Sequence, residues 1–192
     1  MDNLLSLSPS THLLQRLPEL GIEDAPAFLA HLTRDPVFVE MQLLPLLTLR
    51  IRGPEPQIVA TFGSREASTC MHIFVWPVGA TTPIHDHTSW GAYHCVSGSL
   101  LEERYLRLDD GAQPNTAHLR GWWRRRWSRA DGASLVGAYA AGIHRVANPG
   151  HRPAISVHLY GPRMGVFDGR DYDPRRDFVC DRLEHDATLL HR

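Results

Sequence analysis

The sequence predicts a mainly β protein, an antiparallel sandwich or barrel with a helical cap at its N-terminus. The 192 residues suffice for about one domain. From about residue 57 onwards, short runs rich in valine, isoleucine, threonine and aromatic residues alternate with turn residues. No helical pattern separates these runs, which argues for antiparallel strands rather than alternating helices and strands. Before residue 57 the apolar residues recur at helical spacing instead.

The N-terminal part, residues 1–56, is predicted to form the helical cap. Apolar residues recur at helical spacing in three segments, 13–17, 24–32 and 37–49. Pro26 suits the first turn of the second segment, and Pro45 interrupts the third. The stretch Gly53-Pro-Glu-Pro56 is the predicted boundary to a second domain at 57–192, which comprises the β-barrel and a C-terminal tail.

The second part is predicted to contain eight strands separated by glycine, proline, asparagine and aspartate turns. Their predicted ranges are 57–62, 69–77, 81–87, 90–97, 99–108, 116–129, 134–140 and 154–160. The tail after Gly161 is polar and rich in aspartate and arginine. We expect it to lie along the surface and to form a short helix near 180–190.

Composition excludes several classes of function. The 20 basic residues, all arginine, nearly balance 21 acidic ones, so charge gives no reason to expect nucleic-acid or anionic-membrane binding. The absence of lysine excludes Schiff-base chemistry and a P-loop lysine. Three cysteines without a C-x-x-C pair favour a reducing compartment. With neither a basic leader nor a long apolar run, the sequence predicts a cytoplasmic protein.

The basic segment 122–127 is interpreted as one strand and turn with outward arginines, or an interface.

Histidines are the unusual feature, with 12 in the chain. His85 and His87 are two residues apart on a predicted strand, so their imidazoles share one face while Asp86 points to the other. Two neutral imidazoles on one face can form half of a metal site, although such a pair is also common on solvated strands. His144, which follows the predicted strand at 134–140, is a third candidate ligand.

This arrangement resembles the two motifs of the cupin superfamily, which implies a double-stranded β-helix, or jelly-roll barrel. The residues that match these motifs are Gly79, His85, His87, Gly98, His144 and Asn148. Gly91 stands where most cupins have a glutamate ligand, and the second motif lacks its proline. Three neutral ligands would leave the charge of a divalent cation uncompensated, which favours an anionic guest such as a thiolate.

Within the cupins, the segment His85-Asp-His-Thr-Ser-Trp-Gly91 is similar to bacterial members of the cysteine dioxygenase family. The alternating Ser156, His158 and Tyr160 match that family's Ser-x-His-x-Tyr signature, and all three share one strand face. The resemblance implies Fe(II) held by His85, His87 and His144. It also implies oxidation of a small mercapto-carboxylate (cysteine, 3-mercaptopropionate or mercaptosuccinate) by O2 to the sulfinic acid. The partners are then a small thiol and O2, and an oligomer is compatible with the sequence.

The resemblance also suggests roles for further residues. Tyr160 would contact bound substrate or oxygen, with His158 and Ser156 orienting it, and Phe74 and Trp76 would form the pocket wall. The candidates for binding the substrate carboxylate are Gln57, Arg65, Arg163 and Arg170, with the two later arginines slightly favoured. Two alternatives stay open: a three-histidine zinc hydrolase, and a non-catalytic metal-binding cupin that acts as a sensor.

Overall fold

A computed structural model describes residues 14–49, 53–63, 68–164 and 167–182. The chain forms two antiparallel sheets with a helical segment before them. The strands are β1 (Gln57–Phe62), β2 (Cys70–Trp76), β3 (Ile84–His85), β4 (Gly91–Ser97), β5 (Ser99–Arg107), β6 (Leu119–Ser128), β7 (Ala133–Val136), β8 (His144–Ala147), β9 (Ala154–Tyr160), β10 (Arg170–Asp173) and β11 (Phe178–Asp181). The predicted mainly β class is therefore confirmed.

The two sheets form the jelly-roll barrel of the cupin fold. One sheet has the strand order β1-β2-β9-β4-β7, and the other has the order β11-β10-β3-β8-β5-β6. Because neighbouring strands come from distant parts of the chain, the barrel brings β3, β8 and β9 together although they lie far apart in sequence. The long strand β6 lies at one edge of the second sheet. Its residues Arg120, Trp122, Arg124 and Arg126 are exposed to solvent.

The helical segment packs against the first sheet and closes its outer face. It comprises a 3₁₀ turn (Leu17–Glu19), the helix α1 (Ala25–Leu32), an α-helical turn (Pro36–Phe38), a π-helical turn (Val39–Leu43) and a second 3₁₀ turn (Leu44–Thr48). Buried Phe28, Leu29 and Leu32 of α1 share one hydrophobic cluster with Ile73 and Val157 of the sheet. This burial, rather than helix propensity, stabilises so short a helix.

The predicted strands match the structure best where apolar residues alternate cleanly. The ranges 57–62 and 154–160 are confirmed in full, whereas the strand predicted at 81–87 shortens to Ile84–His85. Three short strands, β8, β10 and β11, were not predicted. The helix expected near 180–190 is wrong at its start, where β11 runs to Asp181, and residues 183–192 lie outside the described residues.

Within the described residues, the helices are all too short or too polar to span a bilayer.

Candidate metal centre

Strand pairing explains why three histidines from distant parts of the chain meet. Strand β3 lies between β10 and β8, and His85 is the direct cross-strand partner of His144. His87 follows β3 two residues later, and all three imidazoles are buried. Their ligand atoms all lie within 4.8 Å of one another. The structure therefore brings together the three histidines that the sequence predicted to converge.

The protonation of these imidazoles suits a cation. Nδ1 of His85 donates to the Pro83 carbonyl at 3.0 Å, and Nδ1 of His144 lies 2.8 Å from Glu102 Oε1. In a neutral ring this leaves the lone pair on Nε2. Nε2 of His144 is 3.3 Å from Nε2 of His87. Burial lowers the pKa of His85 and also that of His144, the latter despite Glu102, so both rings stay neutral. Three imidazole nitrogens at this spacing fit a divalent transition metal.

A chain of hydrogen bonds runs along the inner face of β9 towards this centre. Trp76 Nε1 donates to Ser156 Oγ at 2.7 Å, and that hydroxyl in turn lies 2.7 Å from His158 Nε2. The buried serine hydroxyl also needs an acceptor for its own hydrogen, and His158 Nε2 lies within reach, so we assign that hydrogen to the bond with His158 Nε2. His158 then carries its own hydrogen on Nδ1 and donates to the Tyr160 hydroxyl at 3.2 Å. We call these four residues the relay.

Aromatic packing holds the relay in place. The ring of His158 stacks on Tyr93, with centroids 4.9 Å apart, and contacts Phe74 at 4.6 Å. Burial, and next the proximity of His72 and His144, lowers the pKa of His158 well below its ordinary value. His158 is therefore neutral, as the order of donors in the relay requires. The Tyr160 ring lies 5.0 Å from that of His87, so the relay ends beside the three histidines.

A cavity of about 410 Å³ opens onto both the histidines and the relay. Phe74 and Trp76 form part of its wall, as predicted from the resemblance. His72 also lines it, and its Nδ1 is 2.9 Å from the Thr61 hydroxyl. The wall is mixed, with apolar, aromatic and charged side chains. The charged lining residues are Glu55, Asp168, Asp171 and Arg182.

The residues that line the cavity bear on which arginine binds a substrate carboxylate. The two favoured arginines, Arg163 and Arg170, are not among the lining residues, and their role in substrate binding stays a prediction. Arg65 lies outside the described residues. Gln57 begins β1, but its neighbours rather than its own side chain line the cavity. The cationic side chain of the described lining is Arg182, which sequence reasoning missed because it lies in a tail without a motif.

The Arg170 side chain forms an ion pair with Asp86, the residue between His85 and His87. The Asp86 carboxylate is fully buried, and its Oδ2 accepts from Arg170 Nη2 at 2.7 Å and from the Tyr172 hydroxyl at 2.6 Å. Its Oδ1 accepts from the Arg170 backbone N–H at 2.7 Å. The prediction that Asp86 points away from His85 and His87 is consistent with these partners. This network anchors β10 to the segment that carries both imidazoles.

Gly91 and Cys95 show how β4 serves the site without contributing a ligand. Gly91 is the register partner of Tyr160, and a Cβ atom there would lie 3.4 Å from the tyrosine ring. The glycine thus leaves the phenol ring uncrowded on that side. Cys95 is fully buried, and burial raises its pKa to about 12, so its thiol is a small, unreactive core group.

The chain is similar to a known protein family and to several solved structures. The model of the family described as cysteine dioxygenase type I matches residues 63–173. A protein from Thermus thermophilus is 17% identical, with 65% of this chain and 99% of that chain covered and a TM-score of 0.46. A cupin superfamily protein from Desulfitobacterium hafniense is 13% identical, with 63% and 88% covered and a TM-score of 0.42. Oxalate oxidase in complex with glycolate is 20% identical, and the match spans 49% of this chain and 42% of that chain with a TM-score of 0.38.

Proposed function

The chain belongs to the cysteine dioxygenase type I family, and on that premise we propose that it is a mononuclear iron thiol dioxygenase. Its substrate would be a small mercapto-carboxylate of the cysteine, 3-mercaptopropionate or mercaptosuccinate type. The reaction adds both atoms of O2 to the substrate sulfur, so that a thiol and O2 become one sulfinic acid. The observation that supports this proposal most directly is the placement of three buried imidazoles beside the relay that ends at Tyr160.

In this proposal His85, His87 and His144 hold the metal. When bound, ferrous iron supplies the Lewis acidity that deprotonates the thiol and the electrons that activate O2. With three neutral ligands, the site keeps a positive charge that favours an anionic thiolate over a neutral thiol. Three imidazoles suit both Fe(II) and Zn(II), and metal analysis of the purified protein distinguishes the two.

The relay positions the Tyr160 hydroxyl toward bound substrate. Since this oxygen accepts from His158 Nδ1, its own hydrogen is not used in that bond and can be donated to another group. A donor at this place suits negative charge on the substrate sulfur or on oxygen as it forms bonds. Phe74 and Trp76 exclude water from one side of the cavity, which strengthens such hydrogen bonds.

Arg182 is our candidate for binding the substrate carboxylate. Its Nη1 donates to Asp171 Oδ1 at 2.8 Å, and its Nη2 donates to the carbonyls of Asp86 and Asp168, also at 2.8 Å. Within the described part of the chain, these three bonds use three of the five N–H groups of the guanidinium. The other two N–H groups can donate to a substrate carboxylate. The bonds also hold the guanidinium rigidly at the cavity wall, which lowers the entropy cost of binding.

Replacing Arg182 with glutamine should raise KM for a mercapto-carboxylate about ten- to hundredfold, because a charge-assisted hydrogen bond contributes about 1.5–3 kcal/mol. The value of kcat should change much less. Steady-state O2 uptake at varied thiol concentration measures both constants. Arg65→Gln is the matched comparison: if it raises KM and Arg182→Gln does not, the carboxylate is bound by Arg65 instead.

The experiment that tests the proposed function is O2 consumption by iron-loaded protein with a panel of small thiols. We expect one sulfinate per O2 consumed, and both atoms of labelled O2 in the product. Zinc-loaded protein is the control and should consume no O2. Iron-loaded protein without thiol-dependent O2 uptake, or hydrolysis by the zinc-loaded protein alone, would refute the proposal.

A further inference from the structure

Glu102 is a fully buried carboxylate that the ligand set does not include. Inward-facing positions alternate along β5, so that Leu100, Glu102 and Arg104 point into the barrel. An ionised carboxylate in such a place is costly unless it is paired and hydrogen-bonded. At this core position Glu102 must therefore be stabilised by hydrogen-bond donors or by a positive charge.

The partners of Glu102 include the side chain of His144. Oε1 accepts from Arg104 Nε at 2.7 Å and lies 2.8 Å from His144 Nδ1. Oε2 accepts from the Ser134 hydroxyl at 2.6 Å and from Trp127 Nε1 at 2.9 Å. Burial opposes ionisation, but the Arg104 guanidinium and the donors Ser134 and Trp127, all at 2.6–2.9 Å, favour the ionised carboxylate.

This bond determines which nitrogen of His144 faces the other histidines. An ionised carboxylate can only accept, so Nδ1 of His144 carries the hydrogen and Nε2 carries the lone pair. Nε2 is the nitrogen that lies 3.3 Å from His87 Nε2. His85 is fixed in the same way, but by the neutral carbonyl of Pro83. The acceptor at Nδ1 is thus a charged carboxylate for His144 and a neutral carbonyl for His85.

We infer that Glu102 is a positioning residue that supplies, through His144, the carboxylate charge that the three-histidine ligand set lacks. Its bond holds His144 in the tautomer that can bind a metal and makes that imidazole a stronger electron donor. Because negative charge favours the ferric over the ferrous ion, Glu102 also lowers the midpoint potential of the metal. Arg104 keeps the carboxylate ionised when the site holds no metal. The inference rests on the proposed function only for the identity of the metal.

The test compares Glu102→Gln with the matched control Glu103→Gln. Glutamine keeps the size of the side chain and one acceptor for His144 but removes the charge. Glu103 is the next residue on β5, faces outward and forms an ion pair with Arg145. Affinity for Zn(II) is measured by titration of metal-free protein, and the midpoint potential is measured by redox titration of iron-loaded protein.

We expect Glu102→Gln to bind Zn(II) about 10–100-fold more weakly than the unmodified chain, whereas Glu103→Gln matches the unmodified chain. We also expect the midpoint potential to rise, by about 59 mV if the ferric affinity falls tenfold more than the ferrous one. Unchanged Zn(II) affinity and potential in a folded Glu102→Gln variant would overturn the inference, as would an equal loss in Glu103→Gln. A purely structural role would lower stability without moving the potential.

A measurement on the unmodified chain keeps the inference testable if Glu102→Gln does not fold. Two-bond ¹H–¹⁵N spectra of the metal-free protein should show His144 with its hydrogen on Nδ1, and the Nε2–H tautomer would overturn the inference. Neither this spectrum nor the Zn(II) titration depends on turnover. If the unmodified iron protein consumes no O2 with any thiol, the proposed function fails while these two results still stand or fall separately.

Discussion

Replacing Asp86 with asparagine tests whether its buried carboxylate holds the segment that carries His85 and His87. Asparagine keeps the volume but puts an amide NH2 where Asp86 has an oxygen. Every group that faces the two Asp86 oxygens donates: the Arg170 backbone and guanidinium N–H groups and the Tyr172 hydroxyl. Whichever way the amide is turned, a donor therefore meets a donor, and the charge that balances Arg170 is lost.

The expected cost follows from the exposure of the two partners. Removing one member of a buried ion pair costs about 3–5 kcal/mol. Asp86 is fully buried, but the side chain of Arg170 is 25% exposed and can recover part of its hydration. This places the loss at the lower end, at about 3 kcal/mol. For a chain of this size, such a loss lowers Tm by about 6–12 °C.

Urea and thermal unfolding of the metal-free protein measure the effect without a contribution from metal binding. The control is Asp173→Asn, since Asp173 lies on the same strand as Arg170 and is 42% exposed beside Arg176. The control should change the free energy of unfolding by less than about 0.5 kcal/mol. A loss below about 1 kcal/mol for Asp86→Asn would refute the reasoning, because the carboxylate would then contribute no more than a surface charge.

Two further predictions concern the relay and the buried histidines. Tyr160→Phe keeps the ring but loses the hydroxyl that accepts from His158, so we expect unchanged metal content and thiol-dependent O2 uptake about 10–1000-fold slower; unaltered turnover would exclude Tyr160 from the reaction. In the metal-free protein, burial lowers the pKa of His85 and His158 well below 6.5. The unfolded chain then binds protons that the folded chain cannot, so stability should fall as pH drops below about 6.5, by up to about 1.4 kcal/mol per pH unit for each histidine. Urea unfolding between about pH 5.5 and 7.5 checks this, and a free energy of unfolding that stays constant would contradict it.

The sequence was most informative where the alternation of side chains is regular. The face shared by His85 and His87, and the row formed by Ser156, His158 and Tyr160, follow from the two-residue period of a strand alone. The convergence of His144 with them needed the resemblance, because strand pairing at that separation has no local signal. Once the fold is known, the pairing of His85 with His144 explains it directly.

The parts that were missed or misplaced depend on contacts between distant segments. Strands β10 and β11 are short, and β10 consists mostly of charged residues, so no apolar period marks them. Arg170 seemed suited to a substrate carboxylate, but its partner Asp86 is 84 residues away in the chain. The burial of Glu102 likewise has no local signal in the sequence, because the direction in which β5 faces is set by the neighbouring strands.

The edge strand β6 has a consequence for how copies of the chain meet. In the part of the chain that the structure describes, the ten-residue strand β6 pairs only with β5, so its other side offers a row of main-chain donors and acceptors that could join to the same row of another molecule. The exposed guanidinium groups of Arg120, Arg124 and Arg126 give this row a dense positive charge. Two such positively charged edges repel each other. The arginines therefore oppose pairing between the β6 edges of two barrels, the contact from which fibres could grow.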